Sequence, residues 1–97
     1  MPKGYVIITE AIHDPEGMVT YGEASTASVI EHGAKVLSVD EHPQVLEGEW
    51  HGTQTVVLEF ESVEAAREWY NSDTYQEAAK LRQAAADCNG VIVAGLG

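Results

Sequence analysis

Cationic residues are scarce in this chain: 5 Lys+Arg stand against 16 Asp+Glu, a formal net charge of -11 over 97 residues. An anionic excess of that size repels phosphate backbones and anionic lipid surfaces, so neither nucleic acid nor a membrane is expected as a partner. Cysteine occurs once, as Cys88, which excludes an internal disulfide and a Cys-based zinc site and suits a reducing compartment. No apolar run approaches the ~18 residues of a membrane-spanning helix. The opening MPKGYVIITE lacks the three regions of a signal peptide, so a cytoplasmic location is expected. Missing too are GxSxG, P-loop, HExxH, CxxC and dinucleotide fingerprints, and the four histidines, 13, 32, 42 and 51, follow no metal-binding spacing. No cofactor and no metal are expected.

What remains is a length suited to one domain, residues 1–97, whose core would gain from burying one more face against a partner. GYVIITEAI, Gly4 to Ile12, is rich in β-branched residues and reads as a central strand. Asp14-Pro15 supplies an N-cap and a proline at the first helical position, and Gly33 supplies a left-handed stop, which predicts a helix from about Pro15 to His32. Ala34 to Glu41 forms a second strand, and a long connector carrying Pro43, Gly48 and Gly52 leads to a third, TQTVVLEF. Ser62 caps a short helix through Tyr70, and Asp73 with Gln76 marks a fresh start, so Asn71-Ser72 is a corner between consecutive helices. Gly90 is expected to precede a last strand, VIVAG.

The order β-α-β-β-α-α-β is the split βαβ pattern of an α+β, ferredoxin-like subunit: a four-stranded antiparallel sheet with helices on one face. Tyr5, Ile7 and Val57 share one strand parity, and Val6, Ile8, Val56, Leu58 and Phe60 the other. A sheet apolar on both faces but covered on one predicts a homodimer through the bare face.

GYVI, DPEGMVTY, VLEGEW and VVLEFESVEAAREWYNSDTYQEAAKLRQAAAD together resemble the bacterial family known as domain of unknown function 1330, over nearly the whole chain. The resemblance implies a subunit that joins a second copy into a dimeric α+β barrel, with a pocket between sheet and helices in each subunit. The wider superfamily, by the same resemblance, includes cofactor-independent oxygenases of aromatic polyketides, haem-degrading enzymes and muconolactone isomerases. Two departures stand out: Met18 where many members carry tyrosine, and Ala94 where glutamate is common.

Glu59 is a carboxylate inside an apolar strand, where burial would raise its pKa unless a cation neutralised it. Arg82 projects from the small-residue face of the last helix, with Ala78, Ala79, Ala85 and Ala86 nearby, and is the expected cation. The two are expected to meet between the third strand and that helix, either as a purely structural pair or as part of an anion site. Tyr21 adds a hydroxyl to this candidate catalytic set. Tyr5, Thr9, His13, Trp50, Tyr70 and Tyr75 are the candidate ligand-binding residues around one gap, with core packing as the plain alternative for each ring. His13 is placed at the pocket rim, and Trp50 over the opening or in the dimer seam. Two functions fit: a pocket that binds and deprotonates a small organic molecule, or a non-catalytic dimer that binds a metabolite or a protein.

Overall fold

A computed structural model describes residues 2–97. Its elements are β1 (Gly4–Ile12), α1 (Pro15–Glu31), β2 (Lys35–Asp40), β3 (Gln54–Phe60), α2 (Val63–Asn71), α3 (Asp73–Ala85) and β4 (Ala86–Ala94). The strands form one antiparallel sheet in the order β2-β3-β1-β4, the ferredoxin-like α+β arrangement that the element order implies. The molecule is only 16 Å deep along its shortest axis, the depth of one sheet and one helix layer.

Local chemistry places the helix starts. Asp14 accepts a hydrogen bond from the Gly17 amide at 3.1 Å, Ser62 from Ala65 at 3.0 Å, and Ser72 from Tyr75 at 3.2 Å, each satisfying an amide that has no partner inside its helix. Gly33, at φ 66, turns the chain out of α1 in the left-handed conformation that glycine adopts without a Cβ clash. One expectation is corrected: the last strand begins at Ala86, and Gly90 lies inside it. α3 runs into β4 without a turn, because β4 pairs along the whole of β1 from Ile12↔Ala86 to Gly4↔Ala94, and nine residues of ladder outweigh the weak strand preference of one glycine.

Val6, Ile8, Leu58 and Phe60 point to the helix side and close a core with Trp69 and Tyr75. Trp69 is fully buried, with ring centroids 5.2 Å from Phe60 and 3.9 Å from Tyr75, and its indole Nε1 donates to Ser28 Oγ at 3.2 Å. Burying side chains of this size stabilises by about 1.5–3 kcal/mol each. α1 packs on α3 rather than flat on the sheet. A Cβ added at Gly17 would lie 2.9 Å from the Ala85 Cβ, so the two helices meet closely at that end. The inner residues of β2, Val36 and Val39, remain 55% and 56% exposed, and a cleft opens between α1 and the β2 side of the sheet.

Candidate functional site

That cleft is a cavity of ≈ 860 Å³ walled by α1, β1, β2 and β3. Its walls are largely apolar, with Ile8, Val29, Val56 and Leu58 among them; its ionisable groups are Glu10 and Tyr21, with Glu41 and His42 where the connector begins, and Ser25, Thr26, Thr53 and Gln54 add neutral polar groups. An apolar chamber with a small number of convergent polar groups is the usual form of a small-molecule site.

Glu10 is the unusual member. It continues the inward parity of Val6 and Ile8 along β1 and is 1% exposed. Its Oε1 accepts from Gln54 Nε2 at 2.7 Å, across the β1–β3 pair that sets Glu10 opposite Gln54. Its Oε2 makes no hydrogen bond to the described residues. Burial holds its pKa above the ordinary 4.5, against the opposing pull of the Gln54 hydrogen bond and the Arg82 charge. Gly52, at φ 82, lets the connector's backbone pass so close to Glu10 that an added Cβ would stand 2.5 Å from the Glu10 carbonyl carbon. Thr53 then donates its amide to the Glu10 carbonyl oxygen at 2.8 Å.

Behind the cavity runs a short hydrogen-bonded chain. Arg82, 6% exposed, donates from Nε to the Tyr75 hydroxyl at 3.3 Å, and the Tyr75 and Tyr21 hydroxyls bond at 2.9 Å. The Arg82 guanidinium carbon also lies 5.9 Å from the centre of the Tyr21 ring. Burial, first, and the neighbouring Tyr75 oxygen, second, push the Tyr21 pKa upward, so at neutral pH Tyr21 is a hydrogen-bond donor rather than a base. Burial works against the Arg82 charge, but Tyr75, Cys88 and Tyr21 together outweigh it and leave the guanidinium pKa raised.

The expected meeting of Glu59 with Arg82 does not occur. Glu59 has the parity of Val57 and Thr55, opposite to Leu58 and Phe60, and lies on the sheet face away from the helices. There it accepts from the Tyr5 hydroxyl at 3.1 Å, and that carboxylate raises the Tyr5 pKa. Thr9 shares the outer face and is hydrogen-bonded to His51 Nδ1 at 2.8 Å. Trp50, 51% exposed, donates from its indole to Thr55 Oγ1 at 2.9 Å, so the connector folds across the outer face and not over the cleft. His13 is exposed in the bend before α1, its amide bonded to the Ala85 carbonyl. Of the expected residues, Tyr21 lines the large cavity, Tyr75 sits buried behind it, and Tyr70 and Arg82 line a second cavity instead. The single gap imagined for all of them is divided by the sheet. Glu10 and Gln54 were missed, although the alternation Val6, Ile8, Glu10 carries the signal. No group of three or more His, Cys, Asp or Glu side chains is placed to hold a metal among the described residues, and no helix there is long and apolar enough to cross a membrane.

The chain belongs to the family described as domain of unknown function DUF1330, whose profile matches residues 3–96. Its fold is shared by solved structures of low identity. A protein of unknown function from Rhodopseudomonas palustris is 24% identical, with TM-score 0.77 over 99% of this chain and 84% of that one. SnoaB, a cofactor-independent oxygenase from Streptomyces nogalater, is 9% identical, with TM-score 0.68 over 100% and 96%. A dimeric ferredoxin-like protein of unknown function from Thermobifida fusca is 14% identical, with TM-score 0.65 over 96% and 91%. No curated protein matches.

Proposed function

We propose that the protein is a cytoplasmic homodimer whose large cavity binds a small, mainly apolar organic molecule carrying a carbonyl or phenolic oxygen, and that Glu10 and Tyr21 serve it as an acid–base pair. The observation that carries this reading is Glu10 itself: a buried carboxylate with one oxygen held by Gln54 and the other without a protein partner, in a chamber whose walls are mainly apolar. A carboxylate with a raised pKa is a stronger base than one in water.

The proposed step needs no oxidant. Glu10, as carboxylate, takes a proton from a carbon next to the substrate carbonyl, and the electron pair of that bond moves to the carbonyl oxygen. The Tyr21 O–H donates a hydrogen bond to the oxygen as charge develops. Tyr75 accepts from Arg82, and the Tyr21–Tyr75 bond can run either way; with Tyr75 as its donor, the Tyr21 proton is free to point into the cavity. Return of the proton from Glu10 to a different carbon completes an isomerisation. SnoaB's cofactor-independent chemistry is a parallel at the level of fold alone.

Deuterium uptake from heavy water into small β-dicarbonyl and phenolic compounds tests the step. Wild-type protein should exceed Glu10→Gln by about 100-fold, with an acid limb above pH 4.5. Equal uptake by both overturns the catalytic reading. The cleft's mouth lies along exposed Val19, Ile30, Val36 and Val39 and does not shut out water. That openness favours a second reading, a binding site without catalysis, which predicts a ligand in native mass spectrometry and no uptake. The homodimer is supported by exposed apolar residues of the outer face, Val91 and Val93, at 53% and 40%, and should bury more than about 1,200 Å² in total. Sedimentation as a folded monomer at micromolar concentration overturns it.

A further inference from the structure

A second cavity of ≈ 570 Å³ lies on the same side of the sheet but at its other edge, between α3 and β4. We propose that it is a binding site for a small monocarboxylate with an apolar body, held by the Arg82 guanidinium. The inference does not rest on the chemistry assigned to the first cavity.

Arg82 is 94% removed from solvent, since it is 6% exposed, yet none of the three ion pairs among the described residues includes it. Nε donates to the Tyr75 hydroxyl, and the groups that favour its charge, Tyr75, Cys88 and Tyr21, are hydroxyls and a thiol, weaker partners than a bidentate carboxylate. Glu10 is near enough to feel the Arg82 charge but forms no ion pair with it, and a buried cation without a directly bonded carboxylate is costly unless an anion completes the pair. Arg82 belongs to the wall of this cavity and not to that of the larger one, so a ligand here can meet the guanidinium.

The remaining wall selects the anion. Val6, Ile8 and Ile92 are aliphatic, Gly90 leaves the floor open, and Tyr70 and Gln83 add the remaining larger side chains, so much of the chamber suits a hydrocarbon or aromatic body. One planar guanidinium matches one planar carboxylate through two parallel hydrogen bonds. A phosphate dianion would need further cations or a cradle of backbone amides, and the wall offers no second cation. Asp87 also contributes to this wall, but its carboxylate turns to the outer face, where it pairs with His51 Nε2 at 3.6 Å.

Cys88, the chain's one cysteine and part of this wall, reports occupancy through its rate of alkylation by iodoacetamide. Millimolar benzoate should slow that reaction in the wild-type protein in a saturable manner, whereas benzamide, its uncharged counterpart of the same shape, and inorganic phosphate should not. Arg82→Gln should weaken the benzoate effect by about thirtyfold or more, as expected for loss of one partner of a buried charge pair, and Arg82→Lys should restore it only in part. Equal protection by benzoate and benzamide, or none by benzoate, overturns the proposal without recourse to any variant. Protection by phosphate alone overturns the assignment to a carboxylate.

Discussion

The two faces of this sheet carry much the same chemistry and put it in different physical states. On the helix side, Glu10 is buried with Gln54 and coupled to Arg82, and the tyrosines 21 and 75 are bonded to each other. On the open side, Glu59 takes the Tyr5 hydroxyl, and Thr9 and Thr55 take His51 and Trp50. Strand residues of alternate parity, as few as one position apart, thus become either a desolvated acid or a solvated surface group. Which face the helices cover decides the outcome, not the residue type.

Five substitutions bear on that contrast. Trp69→Ala, on the covered face, should cost about 3–5 kcal/mol in urea unfolding, because it empties the centre of the core. Trp50→Ala, on the open face, should cost less than about 1 kcal/mol at concentrations where the chain is monomeric. A Trp50 penalty that grows with protein concentration would place that ring in the seam between two copies and erase the contrast. Between these two lies Tyr75→Phe, at about 1–3 kcal/mol, since it leaves the buried Arg82 Nε and the Tyr21 hydroxyl without their shared partner.

Glu10→Gln should act mainly through pH. The folded-state pKa of Glu10 lies above 4.5, so the fold favours the neutral acid. Its contribution is full below the unfolded-state value and is lost as pH rises through the folded-state one. Wild-type stability should therefore decline as pH rises from 4.5 through that folded-state value, and urea midpoints of Glu10→Gln should lack this part of the decline. An unchanged slope would mean that Glu10 is solvated. Tyr5→Phe should have the smallest effect, removing one hydrogen bond on a part-exposed face, and its urea midpoint should stay within error of wild type.

The sequence made much of this readable. Asp14, Ser62 and Ser72 start their helices because their side chains are chemically suited to capping, and Gly33 ends α1 for a steric reason; all four act locally. The parities of β1 and β3 were legible as well, and they already separated Glu59 from Phe60. What alternation could not supply was which parity the helices would cover, a long-range matter of how α2 and α3 cross the sheet. Once Phe60 and Leu58 are known to face Trp69, Glu10 follows as the inward carboxylate and Glu59 as the outward one. Arg82 is legible as a charge on a packing face, but its neighbours depend on β4 beginning at Ala86, five residues before the Val91 start that Gly90 implies.

The bulge between Val36 and Ser38 lies in an edge strand that pairs only with β3 and is exposed along its whole length. Such a strand is the part of a sheet that opens first, by local unfolding that leaves the core intact. Because Val36 and Val39 also wall the large cavity, fraying of β2 would widen the entrance at little cost, and a ligand resting on those valines would oppose it. Amide hydrogen exchange across Lys35–Asp40 thus becomes a direct meter of occupancy: fast in the free protein, slowed when the cleft is filled, and independent of any change in the shape of the molecule.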